Sequence, residues 1–392
     1  MKKIRNIAVY VFVLALFSVS AFRWGQRSVM DKRGDPLDLS LAWQVRSLLK
    51  KDYLNKDKIV DDKMKYGMVA GLVDSLDDPY TVFLPPSDNK ASREDLAGEF
   101  GGVGIALGYK DKTLAVIAPL SKTPADKAGL KAGDLILKIV DKNKGIDKDT
   151  SGISLSEAVN LIRGEIGSEV TLKILRKGKN EAFDVVLKRG NIVVPSVELE
   201  WKKRGNKEIA WLSLSKFSDR LYQEWDEVVK EILAKKNRDG IVLDLRNNPG
   251  GFLDASVMVA SDFLEDGVVT KQESSNGEVE VYNVDRSKGR LLKDKLVVLI
   301  NGGSASATEI LAGCLKERGR AKLVGEQSFG KGTVQRPEEF KDGSGLHITI
   351  AKWLLPGGKN IHGEGVSADV EVKWNYEKDD PAYEKVYQEL GK

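Results

Sequence analysis

The chain is poor in the residues that much hydrolytic and metal chemistry relies on. Its 392 residues include one cysteine, Cys314, and two histidines, His347 and His362. A single cysteine closes no internal disulfide and builds no Cys-rich zinc site or iron–sulfur cluster. Two histidines leave little room for a multi-His metal centre and only two chances for a histidine general base. A hydrolase with this composition has to find its proton chemistry elsewhere. An excess of one charge is lacking too: 62 Lys+Arg stand against 58 Asp+Glu. The signs are interleaved, so the concentrated basic stripe expected of a nucleic-acid binder is missing. What is present is apolar material, 41% of the residues. That is enough for packed cores and, at about 150 residues each, for two to three domains.

The N-terminus carries Lys2, Lys3 and Arg5, then sixteen uncharged residues from Ile7 to Phe22, closed by Arg23. A basic start, an apolar run and the small residues Val19-Ser20-Ala21 have the layout of a secretory signal. Sixteen residues fall short of the roughly twenty that comfortably span a bilayer. Residues 1–24 are therefore read as a signal peptide or, if uncleaved, a membrane anchor. The expected location is beyond the cytoplasmic membrane, in a periplasmic or other extracytoplasmic space.

Residues 36–95 have helical spacing, with Leu41, Val45, Leu48 and Leu49 in one stretch and Met64, Met68, Leu72 and Leu76 in a second. Asp77-Asp78-Pro79 stops the second helix, and Pro85-Pro86 is expected to be an extended linker. Residues 96–190 change character, to short β-branched segments between Gly- and Asp-bearing turns. A single helix near Ser156–Arg163 has Ser154 or Ser156 as its cap. Residues 191–372 alternate strand and helix: Ile209–Leu214, a helix from Ser218 to Lys236, Gly240–Leu245, Ala255–Leu264, Leu296–Ile300, Ala307–Lys316 and Lys322–Gly325. His347–Leu355 and Val366–Val372 close this region, and residues 373–392 end in a short helix. The alternation predicts an α/β core with a partly parallel sheet covered by helices.

Three unusual segments follow three of these strands: Asp244–Gly251, Asn301–Glu309 and Gly325–Thr333. In a parallel sheet the strand carboxyl ends share one edge, so the three are expected to converge. The middle segment sets Ser304, Ser306 and Thr308 at a helix N-terminus, where unpaired N–H groups favour negative charge. One cap needs one hydroxyl, so this cluster exceeds a capping role. The Asn-Asn-Pro-Gly-Gly turn is a candidate second source of backbone donors. The last segment fits G-x-x-x-x-G-K, yet Gly332 stands where a P-loop needs Ser or Thr, and a β-like stretch with Pro337 replaces the helix. Lys331, between two glycines, can instead be desolvated and become a base. No G-x-S-x-G elbow occurs, and Ser-x-x-Lys occurs four times, too often to mean anything alone.

Residues 96–190 resemble a PDZ domain: Gly101-Gly102-Val103-Gly104-Ile105, a strand, the Ala128-Gly129-Leu130-Lys131-Ala132-Gly133-Asp134 turn and a late helix. Such a glycine loop turns N–H groups inward to hold a carboxylate, and a peptide adds alongside as a strand. From Leu41 onward the chain resembles the C-terminal processing (tail-specific) proteases. The matching runs are Leu76-Asp77-Asp78-Pro79-Tyr80-Thr81, Asp244–Gly251, the Ser304–Glu309 run and Phe329-Gly330-Lys331-Gly332-Thr333-Val334-Gln335.

The resemblance implies an α/β serine endopeptidase with an inserted PDZ domain and an N-terminal helical segment. Ser306 would be the nucleophile, Lys331 the general base and Gln335 the residue that orients it. Backbone N–H groups of Gly251 and Ala307 would form the oxyanion hole. Gly102, Val103, Gly104 and Ile105 would bind substrate, and Arg163 would couple binding to activation. No metal or other cofactor is implied. The partners implied are proteins with flexible apolar C-terminal tails, with an adaptor and a homodimer left open. The alternative is a catalytically inactive peptide-binding scaffold, against which the intact Ser306, Lys331 and Gln335 argue. Departures are Thr308 for a usual serine, Glu317 where some members have Asp, and Ala368 in a usual Pro-Asp.

Overall fold

The computed structural model describes residues 37–120, 122–179, 181–373 and 381–391. The expected signal or anchor segment, residues 1–24, lies outside them. Among the described residues no helix is long and apolar enough to cross a membrane. The chain divides into two compact units, residues 1–72 and 73–392.

In the first unit α1 (Ser40–Asp52) is followed by α2 (Asp61–Asp74), where helical spacing predicts them. Asp61, in the first turn of α2, pairs with Arg46 (2.9 Å) and Lys50 (3.0 Å) of α1. Between these helices lies a groove lined by Trp43, Val45, Leu49, Met64 and Met68.

The second unit opens with β1 (Val82–Leu84) and α3 (Pro86–Ala97). The Pro85-Pro86 pair is thus not an extended linker. Pro86 takes the first helical position, whose missing N–H is needed by nothing and whose fixed φ suits the helix. Gly98, at φ +75°, ends α3 in the left-handed conformation that a side chain would disfavour.

From there β2 (Glu99–Gly102) leads into a β-rich module. It comprises β3 (Ile105–Lys110), β4 (Thr113–Pro119), β5 (Leu135–Asp141), β6 (Ile146–Asp149), α4 (Leu155–Ile162), β7 (Glu169–Leu175) and β8 (Phe183–Lys188). Ser154 is the α4 cap, accepting from the Glu157 N–H. The sheet order is β3-β4-β5-β7-β8, with β6 on β5, so β3 is an edge strand. Val170, Leu172 and Ile174 alternate inward from β7 onto Ile136, Ile139 and Ala158. β9 (Gly190–Val193) returns antiparallel to β2, so the module is joined to the rest by a two-stranded ribbon.

The α/β core contains β10 (Val197–Arg204), β11 (Lys207–Leu214), α5 (Leu221–Ala234), β12 (Gly240–Asp244), α6 (Leu253–Phe263), β13 (Val268–Ser274) and β14 (Val279–Asn283). It continues with β15 (Leu296–Ile300), α7 (Ala307–Glu317), β16 (Lys322–Gly325), β17 (Thr333–Glu339), β18 (Gly345–Leu354), β19 (Val370–Glu371) and α8 (Pro381–Leu390). One sheet runs β10-β11-β12-β15-β16-β19, parallel throughout except for β10. All five residues of β15 are buried, as a central parallel strand covered on both faces requires. Trp225, Val229, Phe263 and Leu311 cover one face; Val386, Tyr387 and Leu390 of α8 cover the other.

A second, antiparallel sheet is built on β18. It pairs with β17 along one edge, and with β1 and β13 at either end of the other. Two boundaries differ from expectation. The helix expected from Ser218 starts at Leu221, because the Ser218 hydroxyl closes a turn by accepting from the Arg220 N–H (3.2 Å). The strand expected over Val366–Val372 shortens to β19, since β16, its partner, ends at Gly325.

Candidate active site

The strands β12, β15 and β16 are parallel neighbours, so the three segments that follow them leave from one sheet edge, as expected. Cross-links fix the first two segments together. The Ser304 hydroxyl donates to the Leu245 carbonyl (2.9 Å) and accepts from the Asn301 N–H (3.0 Å). The Thr308 hydroxyl donates to the Asn248 carbonyl (3.0 Å), which also takes the Ala305 N–H (3.0 Å). Both hydroxyls are fully buried. Their work is to hold the turn, and it leaves Ser306 as the hydroxyl of this cluster that lines the neighbouring cleft.

Ser306 sits immediately before α7 at φ +57°, ψ −119°, a conformation costly for any residue with a Cβ. Surrounding bonds maintain it. Its N–H donates to the Glu309 carboxylate (2.8 Å), and its carbonyl takes the N–H groups of Glu309 (2.8 Å) and Ile310 (3.0 Å). Gly250 is packed against this turn: a Cβ there would lie 2.7 Å from the Ala305 carbonyl oxygen and 2.9 Å from Ser306 Cβ. At Gly251, φ +138°, a Cβ would meet the Phe217 carbonyl at 2.1 Å. Backbone N–H groups of Gly251 and Ala307 have no acceptor among the described residues, and both residues line the cleft. Two unpaired donors beside a hydroxyl are suited to a developing oxyanion.

Glu309 connects the third segment to the second. Its carboxylate is fully buried and, besides the Ser306 N–H, accepts from the Gly330 N–H (2.7 Å), the Lys331 N–H (2.9 Å) and the Ser328 hydroxyl. The Ser328 oxygen in turn accepts from the Val366 N–H (2.7 Å). Nothing in the sequence reading assigned Glu309 a role. The signal available was Ser306-x-x-Glu309, a capping-box spacing that here also reaches across to the lysine loop.

Lys331 lines the same cleft, of about 400 Å³, as Gly250, Gly251, Ser306, Ala307 and Gln335. Burial lowers its pKa below the ordinary lysine value, more than the nearby carboxylates of Asp78 and Glu309 raise it. Its Nζ lies over the Tyr80 ring, 5.2 Å from the centroid. Its carbonyl accepts the indole N–H of Trp353 (2.9 Å), which fixes the backbone at that point. Gln335 is at the cleft, but its amide donates to the hydroxyls of Thr333 (2.9 Å) and Thr349 (3.2 Å).

The two histidines fall outside the three segments in sequence, yet both surround Lys331 in space. His347, half-buried, lines the cleft; burial and the lysine charge lower its pKa. His362 accepts the Gly332 N–H at Nδ1 (3.3 Å) and meets Tyr80 edge-on, centroids 5.8 Å apart. Their positions depend on β18 and on the turn after it, which sequence spacing does not reveal.

The remaining predicted residues are elsewhere. Gly102, Val103, Gly104 and Ile105 form the entry to the β-rich module. The Val103 and Gly104 carbonyls are occupied by the N–H groups of Ala125 and Leu120, both at 2.9 Å. Arg163, at the C-terminal end of α4, stacks its guanidinium over the Phe100 ring at 3.8 Å. It lines a cavity of about 120 Å³ with Asp95 and Lys216, an ion pair that also lines the cleft.

Comparison with known proteins gives this geometry its context. Residues 208–372 match peptidase family S41, and residues 101–187 match the PDZ domain family. The chain is 36% identical over 326 residues to the carboxy-terminal processing protease CtpA of Bacillus subtilis (strain 168), covering 83% of this chain and 67% of the relative. It is 37% identical over 346 residues to the "Probable CtpA-like serine protease" of Staphylococcus haemolyticus, covering 87% of this chain and 66% of the relative. The chain thus spans about two thirds of the length of these relatives. Among solved structures it is similar to the photosystem II D1 C-terminal processing protease, at 32% identity and a TM-score of 0.51, covering 83% of this chain and 85% of that one. The converging loops, the separate β-rich module and these likenesses agree: the chain belongs to peptidase family S41, the C-terminal processing serine proteases, and carries a PDZ domain.

Proposed function

We propose that the protein is an endopeptidase that cleaves unstructured protein substrates with a Ser306/Lys331 dyad. The neutral Lys331 amine takes the proton from the Ser306 hydroxyl, whose oxygen attacks the scissile carbonyl. The oxyanion that forms is stabilised by the Gly251 and Ala307 N–H groups. The tetrahedral species then collapses, the C–N bond breaks, and the Lys331 ammonium gives its proton to the leaving amine. Water, deprotonated by the same lysine, releases the acyl group and restores the serine. Gln335 contributes by ordering Thr333, which lines the cleft, together with Thr349 behind it. The observation that supports this reading most is that, of three clustered hydroxyls, the unburied one shares a cleft with a desolvated lysine.

Substrate capture is proposed for the PDZ domain, with the N–H groups of the Gly102–Ile105 loop holding a terminal carboxylate. The open edge of β3 suits an added peptide strand. Arg163 of that domain, stacked on Phe100 and lining one cavity with the Asp95–Lys216 pair, is the proposed route from binding to activation. We further propose export directed by residues 7–22 and a homodimer through the apolar groove between α1 and α2. Cell fractionation and light scattering of the purified chain test these; a cytoplasmic protein or a strict monomer would refute them.

The deciding experiment incubates wild type, Ser306→Ala and Lys331→Ala with an unfolded reporter bearing an apolar C-terminal tail. The expected result is cleavage by wild type and a loss of at least about a thousand-fold in each variant, as for residues acting as one catalytic unit. Cleavage at equal rates by all three would reject the dyad.

A further inference from the structure

The turn between α2 and β1 is fixed by hydrogen bonds that reach the catalytic cleft. Asp78 accepts from the Tyr80 N–H (3.0 Å) and the Thr81 hydroxyl (2.7 Å). The Thr81 oxygen takes the Thr349 N–H (3.0 Å), and the Thr349 hydroxyl takes the amide of Gln335 (3.2 Å). Tyr80 is presented with its ring face under the Lys331 Nζ, and His362 braces its ring edge-on while accepting the Gly332 N–H. The lysine is therefore bounded by one continuous network, formed by residues some 250 positions before it in sequence together with its own strand partners.

We infer that Asp78 and Tyr80 are positioning residues for Lys331, a wall that aims its amine toward Ser306 and cradles the ammonium formed when it takes the proton. This rests on the dyad reading above. An aromatic face attracts a cation and is nearly indifferent to a neutral amine, so Tyr80 favours the proton-bearing state without obstructing the free base. Asp78 acts in the same sense through its charge. Burial raises its own pKa, but hydrogen bonds from Thr349, Thr81 and the Tyr80 N–H, with His362 nearby, prevail and leave it below the ordinary aspartate value. It is thus an anion at neutral pH. The other titratable groups around the lysine are the Glu309 carboxylate, the Asp95–Lys216 pair that lines the same cleft, and His347, whose pKa burial and the lysine charge lower. The wall and burial pull the lysine in opposite directions: burial makes it a free base, and the wall keeps that base strong enough to take a proton from serine.

The test measures kcat and KM against pH for the full-length chain and for Asp78→Asn, Tyr80→Phe, Tyr80→Leu and His347→Gln. Removing the Asp78 charge weakens the ammonium, so the acidic limb of kcat is expected to move down by about half a pH unit or more. Tyr80→Phe keeps the ring and should keep the limb and the rate. Tyr80→Leu should lower kcat about ten-fold with KM unchanged. A merely structural loss would reduce active enzyme without moving a limb, and if Asp78→Asn does not fold, the Phe/Leu contrast at position 80 decides. Limbs that coincide in all variants, equal rates for Tyr80→Phe and Tyr80→Leu, or a limb abolished by His347→Gln would each overturn the inference. Activity surviving in Lys331→Ala would instead overturn the dyad itself, so the two failures are distinguishable.

Discussion

The burial of Lys331 costs stability. Its pKa is lowered mainly by burial, so in the folded chain it holds its proton less tightly than in the unfolded one, whose value is the ordinary 10.5. Between those two values the unfolded state binds more protons, and stability rises with pH. Below the folded value the burial cost is fully present. Lys331→Met, similar in shape and uncharged, is therefore expected to be inactive yet to melt at or above the wild-type temperature near pH 7. Its advantage should shrink as pH approaches 10.5. Thermal melts at pH 6, 8 and 10 test this; a variant that is less stable at every pH would show that the charge is well accommodated. Residue chemistry of this kind was partly legible in the sequence. Two glycines around Lys331 announced close packing, whereas the Glu309 carboxylate that anchors the lysine's loop gave only a capping-box spacing, because its partners lie 19 to 22 residues away.

At the scale of elements, legibility followed burial. β15 and β16 were readable to the residue, because an apolar run between helices has few other solutions. β14 is mostly exposed and β13 half-buried, and neither carries a pattern that separates it from loop. The start of α3 was misread because proline both ends an extended segment and begins a helix, and local sequence does not choose between them. The site is sensitive at the joint between elements, where the β12–α6 turn touches the start of α7. Gly250, at φ +102°, leaves no room for a methyl group beside Ala305 and Ser306. Gly250→Ala is expected to displace the Ser306 turn and lower kcat at least about a hundred-fold, the scale of losing one oxyanion donor. Peptide binding by the PDZ domain should be unchanged, as measured by fluorescence anisotropy. A variant with wild-type kcat would place the Ser306 turn beyond the influence of this contact.

Across the whole molecule, the proposed capture of a peptide on β3 raises the question of how that peptide would reach Ser306. The PDZ domain connects through the β2–β9 ribbon, and the ribbon abuts a short strap, Lys216–Ser218. A Cβ on Gly98, just before β2, would lie 3.0 Å from the Ser218 hydroxyl, and Lys216 pairs with Asp95 of α3. The same strap reaches the Gly250-Gly251 turn: the Phe217 N–H donates to the Gly250 carbonyl (3.0 Å), and the Phe252 N–H donates to the Phe217 carbonyl (2.8 Å). Ribbon and Gly250-Gly251 turn thus share one support, although some 150 residues separate β2 from that turn along the chain. If capture by the PDZ loop feeds this cleft, the substrate's terminal charge matters for capture and not for chemistry. Converting a substrate's C-terminal carboxylate to an amide removes charge-assisted bonds worth about 1.5–3 kcal/mol each. KM should then rise about ten- to a hundred-fold, while kcat at saturation stays within about two-fold. Steady-state assays of paired acid and amide peptides decide it: equal KM values would take the carboxylate out of recognition, and a fall in kcat alone would make the PDZ domain a switch for the cleft and not a device for capture.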